Sequence, residues 1–195
     1  MANRTYLYCS EKPVKYIELD AAIVISAASY MVPVFWYMLF DTSDIEKAST
    51  PGDDDEPDFK YYRLVADRAS SIECAKQRID SVSSLLGAKI AEQFNQFLGL
   101  IEQQSGEKVV VETCELAMMD ESPRTFKGEA IKCMKAFSQE PIVRKGLFRK
   151  ESTANPNWVA LLGQANISTD TEDKPIESLC GYSWKIPVPW ETGTA

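Results

Sequence analysis

Ala21 to Phe40 reads AAIVISAASYMVPVFWYMLF, twenty residues without a charge, and where this stretch is buried decides the architecture. Twenty uncharged residues would reach across a bilayer, so a transmembrane helix is the first reading to weigh. Its flanks oppose it: Glu18 and Asp20 precede the run and Asp41 and Asp44 follow it, leaving no Lys/Arg excess to set an orientation. Pro33 interrupts the run, and Ser26 and Ser29 lie in its first half. Two elements fit better. Ile23 to Tyr30, rich in Ile and Val, predicts a buried strand, and Pro33 then opens a helix near its first turn. Val34, Phe35, Trp36, Met38, Leu39 and Phe40 make that helix apolar nearly all round, as in an element packed inside a domain. The centre of the core is expected there.

Upstream, Thr5 to Cys9 (TYLYC) has the aromatic and β-branched content of a strand, while Val14 to Leu19 reads either as a second short strand or as a lead into the apolar run. Downstream, Asp41 to Pro57 is expected to be an acidic, solvated loop, because Ser49 to Gly52 are turn formers and Asp53 to Glu56 repel one another. Phe59 to Val65 predicts a strand. Apolar residues at three- and four-residue steps from Ala69 to Leu86, and again from Ile90 to Ile101, predict two helices separated near Gly87. Lys108 to Met118 opens on three valines and alternates afterwards, which predicts one long strand. A further helix shares Phe126, Ala130, Met134 and Phe137 on one face, and Pro141 stops it. The tail from Gly181 to Ala195, with Trp184 and Trp190 among prolines, is expected to run extended and to dock its tryptophans on the body. This order of elements predicts a single α+β domain, a mixed or antiparallel sheet packed with several helices.

The chain has 195 residues, of which 45% are hydrophobic, enough for one domain that buries roughly 70% of its unfolded surface. No cationic segment followed by an apolar run and a cleavage site opens it, and cytoplasm is the expected compartment. Cys9, Cys74, Cys114, Cys133 and Cys180 are widely spaced, form no CxxC pair and have no histidine to complete a zinc site. They are expected to be free thiols, mostly buried. The net charge of −8 is unevenly distributed: Asp41, Asp44, Glu46, Asp53, Asp54, Asp55 and Glu56 stand against Lys47 alone, a net of −6 within Asp41 to Pro57.

With no histidine, Ser-His-Asp and Cys-His nucleophile systems, HExxH metal sites and imidazole acid/base catalysis are all removed. Neither GxGxxG nor a Walker A sequence occurs, and no cofactor or metal is implied. Asp120 and Glu121 are adjacent carboxylates, but glycosidase chemistry depends on their separation in space, and a solvated loop is the plainer reading. Asp53 to Glu56 lack the alternating acids and glycine of a calcium loop. Arg144, Lys145, Arg149 and Lys150 around Phe148 combine charge with a stacking ring, yet an acidic chain repels a nucleic-acid backbone. The seven acids of Asp41 to Glu56 read either as a disordered linker that keeps the protein soluble or as the candidate partner-binding residues, a surface that would steer a basic partner into contact.

The opening MANRTYLY, followed by the apolar strand and the PVFWYMLF helix, resembles small bacterial proteins that start M-A-N-R-x-Y-L-Y, some of which look like immunity partners of secreted polymorphic toxins. The likeness covers about the first forty residues and carries no catalytic motif. It implies a non-catalytic protein that binds a cognate toxin and occludes its active site, with no nucleic-acid or membrane partner. A structural or regulatory interaction protein, or an unrecognised enzyme or small-ligand-binding domain, are the alternatives, since fold alone does not assign function.

Overall fold

Strand alternation in this chain puts one set of side chains on each face of a sheet: the longer helices build the main core on one face, and a 3₁₀ segment with a short helix packs on the other. The computed structural model describes residues 3–21, 23–52, 56–86, 88–120, 122, 124–138, 142–145, 150–153 and 179–183. Five strands, β1 (Arg4–Ser10), β2 (Ile23–Ser29), β3 (Ile45–Thr50), β4 (Phe59–Asp67) and β5 (Lys108–Glu112), form a sheet in the order β2-β1-β5-β4-β3. Every neighbouring pair is antiparallel. With α1 (Val34–Tyr37), α2 (Arg68–Leu86), α3 (Ala88–Glu102), α4 (Cys114–Ala117) and α5 (Arg124–Ser138), this is an α+β fold with an antiparallel sheet. A separate antiparallel pair, β6 (Ile142–Lys145) and β7 (Lys150–Thr153), carries Arg144, Lys145 and Lys150 of the basic stretch, whereas Phe148 and Arg149 lie outside the described residues.

On the helix side, Leu7 and Cys9 of β1, Leu64 and Ala66 of β4, and Val109 and Val111 of β5 join the main core with residues of α1, α3 and α5. Alternate residues Tyr6, Tyr8 and Val110 face the other way, packed by Val14, Tyr16 and Leu19. The ambiguous Val14 to Leu19 region is neither strand nor plain lead-in, since Tyr16–Ala21 forms a 3₁₀ turn.

The apolar run divides at Pro33 as expected. Pro33 is the N-cap of α1, and Val34 to Phe40 are all buried. The Phe35 ring lies 4.6 Å from that of Phe94 and 6.3 Å from that of Phe97. Trp36 is fully buried and its Nε1–H donates to the Cys180 carbonyl at 2.9 Å. Carbonyls at the end of this short helix would be orphaned in the core, and Arg78 of α2 supplies their donors. Its Nη1 reaches the carbonyls of Met38 at 2.9 Å and Phe40 at 3.0 Å, and its Nη2 reaches Asp41 Oδ1 at 2.8 Å.

Two expectations need correction. Asp41 to Pro57 is not one loop: Thr42–Asp44 is a 3₁₀ turn and Ile45–Thr50 is the edge strand β3, and of the remainder Asp53 to Asp55 lie outside the described residues. Gly52 is held so close to the chain that a Cβ would stand 2.7 Å from the Glu56 carbonyl oxygen. Likewise, the strand from Lys108 ends at Glu112, because the Glu112 carboxylate Oε1 accepts the backbone N–H of Thr113 at 2.9 Å and of Cys114 at 3.0 Å. That capture turns the chain into α4.

The five cysteines are free, four of them buried and Cys74 half-buried. Of the tail, residues 181–183 are described: Tyr182 exchanges two backbone hydrogen bonds with Ala27 on β2, at 3.0 and 2.8 Å. Gly181 permits this approach, with φ of +79° and no room for a side chain beside Ser26 and Ala27. Trp184 and Trp190 lie outside the described residues, as do the side chains of Val82 and Leu86. No helix among the described residues is long and apolar enough to cross a membrane.

Candidate functional site

Three of the seven acids singled out by their clustering already hold intramolecular positions. Asp41 receives Arg78 Nη2 at 2.8 Å, and its backbone N–H donates to Asp44 Oδ2 at 2.7 Å in a capping box around the 3₁₀ turn. Burial raises the Asp44 carboxyl above its ordinary range. Glu46 receives Arg63 Nη2 at 2.6 Å across the β3/β4 pair, where the register sets the two residues opposite each other. Glu56 is exposed in the 51–58 connection, while Asp53, Asp54 and Asp55 lie outside the described residues. Asp41, Asp44 and Glu46 are thus held within the fold, while Glu56 stands exposed.

Arg63 also leads into the most polar region of the interior. Glu112 is fully buried, its Oε2 stands 3.8 Å from Arg63 Nη1, and Tyr8 and Tyr61 flank the same face of the sheet. Burial pushes the Glu112 carboxyl above the ordinary carboxylate range, against the opposing pull of Tyr61, Arg63 and the two backbone N–H donors. Beside it, Glu115 of α4 accepts the hydroxyls of Tyr6 at 2.8 Å and Tyr16 at 2.7 Å and the backbone N–H of Arg4 at 2.8 Å. Burial, then Glu115, raises the Tyr6 hydroxyl to about 12. A carboxylate with no exposure cannot meet a substrate, so these groups fasten α4 and the 3₁₀ turn to the sheet.

The accessible chemistry lies at the end of β2. Tyr30 directly follows that strand, has a positive φ of 62° and is 60% exposed. A non-glycine residue held in the left-handed region, with its ring in solvent, is strained without a packing return. Its backbone N–H is fixed to the Asn3 carbonyl at 2.8 Å. Tyr30 lines a cavity of about 370 Å³ floored by Val34, Tyr37, Phe126 and Phe137, with Leu116 and Asp120 on one wall and Glu129 and Cys133 on another. Met118 and Met119, 52% and 49% exposed, occupy the segment between Leu116 and Asp120.

Tyr30, Met118 and Met119 are the exposed large apolar side chains among the described residues, and all three belong to the two segments bordering this groove. Neither Asp120 nor Glu129 forms an ion pair among the described residues. Burial raises the Asp120 carboxyl, and burial, then the neighbouring Cys133 and Glu129 charges, raises the Tyr37 hydroxyl well above its ordinary value. An apolar floor with two carboxylates at its wall suits a cation carried on an aliphatic or aromatic stem.

The reading by charge clustering missed this groove. Tyr30 was assigned to the end of a strand, and Met119 to Pro123 to a solvated loop. The available signal was the adjacent Met118 and Met119 directly before the polar Asp120, Glu121 and Ser122. No group of three or more His, Cys, Asp or Glu side chains among the described residues is arranged to hold a metal ion. No family model, curated protein or solved structure matches the chain.

Proposed function

We propose that this protein is a non-catalytic binding protein, an immunity protein that neutralises a cognate bacterial toxin by direct binding and occlusion of the toxin's active site. The groove bordered by Tyr30, Met118 and Met119 supports this reading, because exposed Tyr and Met beside a depression of mixed apolar and carboxylate lining have the composition of an interaction surface. Asp120 and Glu129 select the partner's charge. A Lys or Arg side chain entering the groove would bury its stem on Phe126 and Phe137 and bring its head to the two carboxylates. A toxin that handles nucleotides or nucleic acid carries basic residues at its active site, and covering them is occlusion. The acids Asp53 to Glu56, which fall between β3 and β4 in the sequence, would attract the same surface from a distance.

These two roles separate kinetically. Replacing Asp53, Asp54, Asp55 and Glu56 with Asn or Gln should lower the association rate with the toxin several-fold at low salt, flatten its salt dependence and leave dissociation nearly unchanged. Asp120→Asn with Glu129→Gln should instead raise the dissociation rate about tenfold or more, since these groups are partly enclosed in the contact. Stopped-flow association and chase measurements at two ionic strengths read both effects. Wild-type rates in both variants would remove the acids from the mechanism.

A further inference from the structure

The hairpin β3/β4 carries a second cavity, of about 550 Å³, whose lining is opposite in charge to the protein as a whole. The antiparallel register places Lys47 opposite Tyr62 and Ser49 opposite Lys60, so these four side chains alternate onto the same face of the hairpin. That is the helix side of the sheet, since Tyr62 packs against the main core. The start of α5 closes the cavity with Ser122 and Arg124, and one turn into the helix Lys127 places its ammonium 5.0 Å from the centre of the Tyr62 ring. Among the described residues Lys47, Lys60, Arg124 and Lys127 form no ion pair, and no carboxylate of those residues lines the cavity.

Four cations gathered from three elements repel one another, and in a chain of net charge −8 they could readily have been paired with acid. An anion relieves that repulsion. The site offers what a phosphate takes: ammonium and guanidinium donors, the hydroxyls of Ser49 and Ser122, and the positive end of the fifteen-residue helix α5. The cavity is many times the size of a lone phosphate and falls in the range of pockets that hold cofactor-sized ligands. We propose that this cavity binds a small organic diphosphate, with the diphosphate between Lys47, Lys60 and Arg124 and the organic part against Tyr62. A nucleoside diphosphate has that charge and size.

Titration of the full chain with ADP, pyrophosphate, inorganic phosphate and adenosine, followed by calorimetry at low and moderate salt, tests the assignment. ADP should bind with micromolar affinity, pyrophosphate about tenfold more weakly, and adenosine not measurably. Lys60→Ala with Arg124→Ala should weaken ADP at least thirtyfold, whereas Lys12→Ala, an exposed lysine remote in sequence, should leave it unchanged. All three lysine and arginine positions are exposed, and circular dichroism verifies that the variants fold. No heat with ADP or pyrophosphate, or equal binding by the double variant, would overturn the proposal. Displacement of ADP by a single-stranded RNA oligonucleotide that binds more than a hundredfold tighter would overturn it in favour of nucleic acid. None of these outcomes depends on the toxin.

Discussion

Trp36→Ala is expected to destabilise the protein by about 3 to 5 kcal/mol. Trp36 has no exposed surface, lies within α1 and donates Nε1–H to the Cys180 carbonyl. Truncation therefore removes a large ring, opens a cavity between α1 and the segment that returns to β2, and leaves a buried carbonyl without its donor. Gly181 also packs 2.9 Å from the Trp36 ring, counted to the position a Cβ would take, so this segment loses its seat as well. Urea unfolding reads the change, with Trp36→Phe as the control that restores most of the volume but not the hydrogen bond. A loss below about 1 kcal/mol would show that α1 is peripheral to the core.

Arg63→Met is expected to cost about 3 to 5 kcal/mol at neutral pH, because it leaves the buried Glu112 carboxylate without its counter-charge. The pH dependence distinguishes this from lost packing. Burial already holds the folded-state value of Glu112 above its ordinary one, and removing Arg63 raises it further. For a carboxyl raised in the folded state, the penalty is absent where both states are protonated, appears as pH rises past the unfolded value and is complete above the folded value. The variant should therefore approach wild-type stability as the solution is acidified toward the ordinary carboxylate range. Glu112→Gln in the Arg63→Met background should recover part of the loss at neutral pH. An equal deficit at acid and neutral pH would assign the effect to packing and not to charge.

The parts of the fold legible in the sequence are those whose signal is local. Pro33 marks the strand-to-helix division, the aromatic and β-branched content of Thr5 to Cys9 marks a strand, as the FKYYRLV run of Phe59 to Val65 marks another, and the three- and four-residue steps mark α2, α3 and α5. Strand β3 was not legible, because an edge strand exposes Glu46, Lys47 and Ser49 and so has the composition of a loop. The end of β5 was hidden for a different reason. Val109 to Met118 keeps an acceptable strand pattern, and what breaks it is the buried Glu112 carboxylate taking two backbone N–H groups, favoured by the nearby Arg63. That is a tertiary event with no sequence period.

The acids were legible as charge, but their partners were not. Arg78 and Arg63 are 37 and 17 residues from Asp41 and Glu46, and only the fold makes these pairs. The groove is similarly assembled from distant pieces: Tyr30 to Val34 from the apolar run, Leu116 to Asp120 after β5, and one face of α5. Clustering along the chain could not find it, since each piece contributes only one or two of the groups that give it character.

The direct test of the proposed function is whether the full chain binds the product of any toxin-like reading frame found beside its gene, and how that affinity compares with that of Tyr30→Ala. Tyr30 is exposed and Ala keeps the same left-handed backbone with its Cβ, so the substitution should leave stability nearly unchanged, and any loss of affinity is a loss of contact. The account predicts a tight wild-type complex and at least a thirtyfold weaker one for Tyr30→Ala, as for an aromatic hot spot. A wild-type chain that does not bind the toxin, or a Tyr30→Ala variant that binds and protects like the wild type, would contradict it.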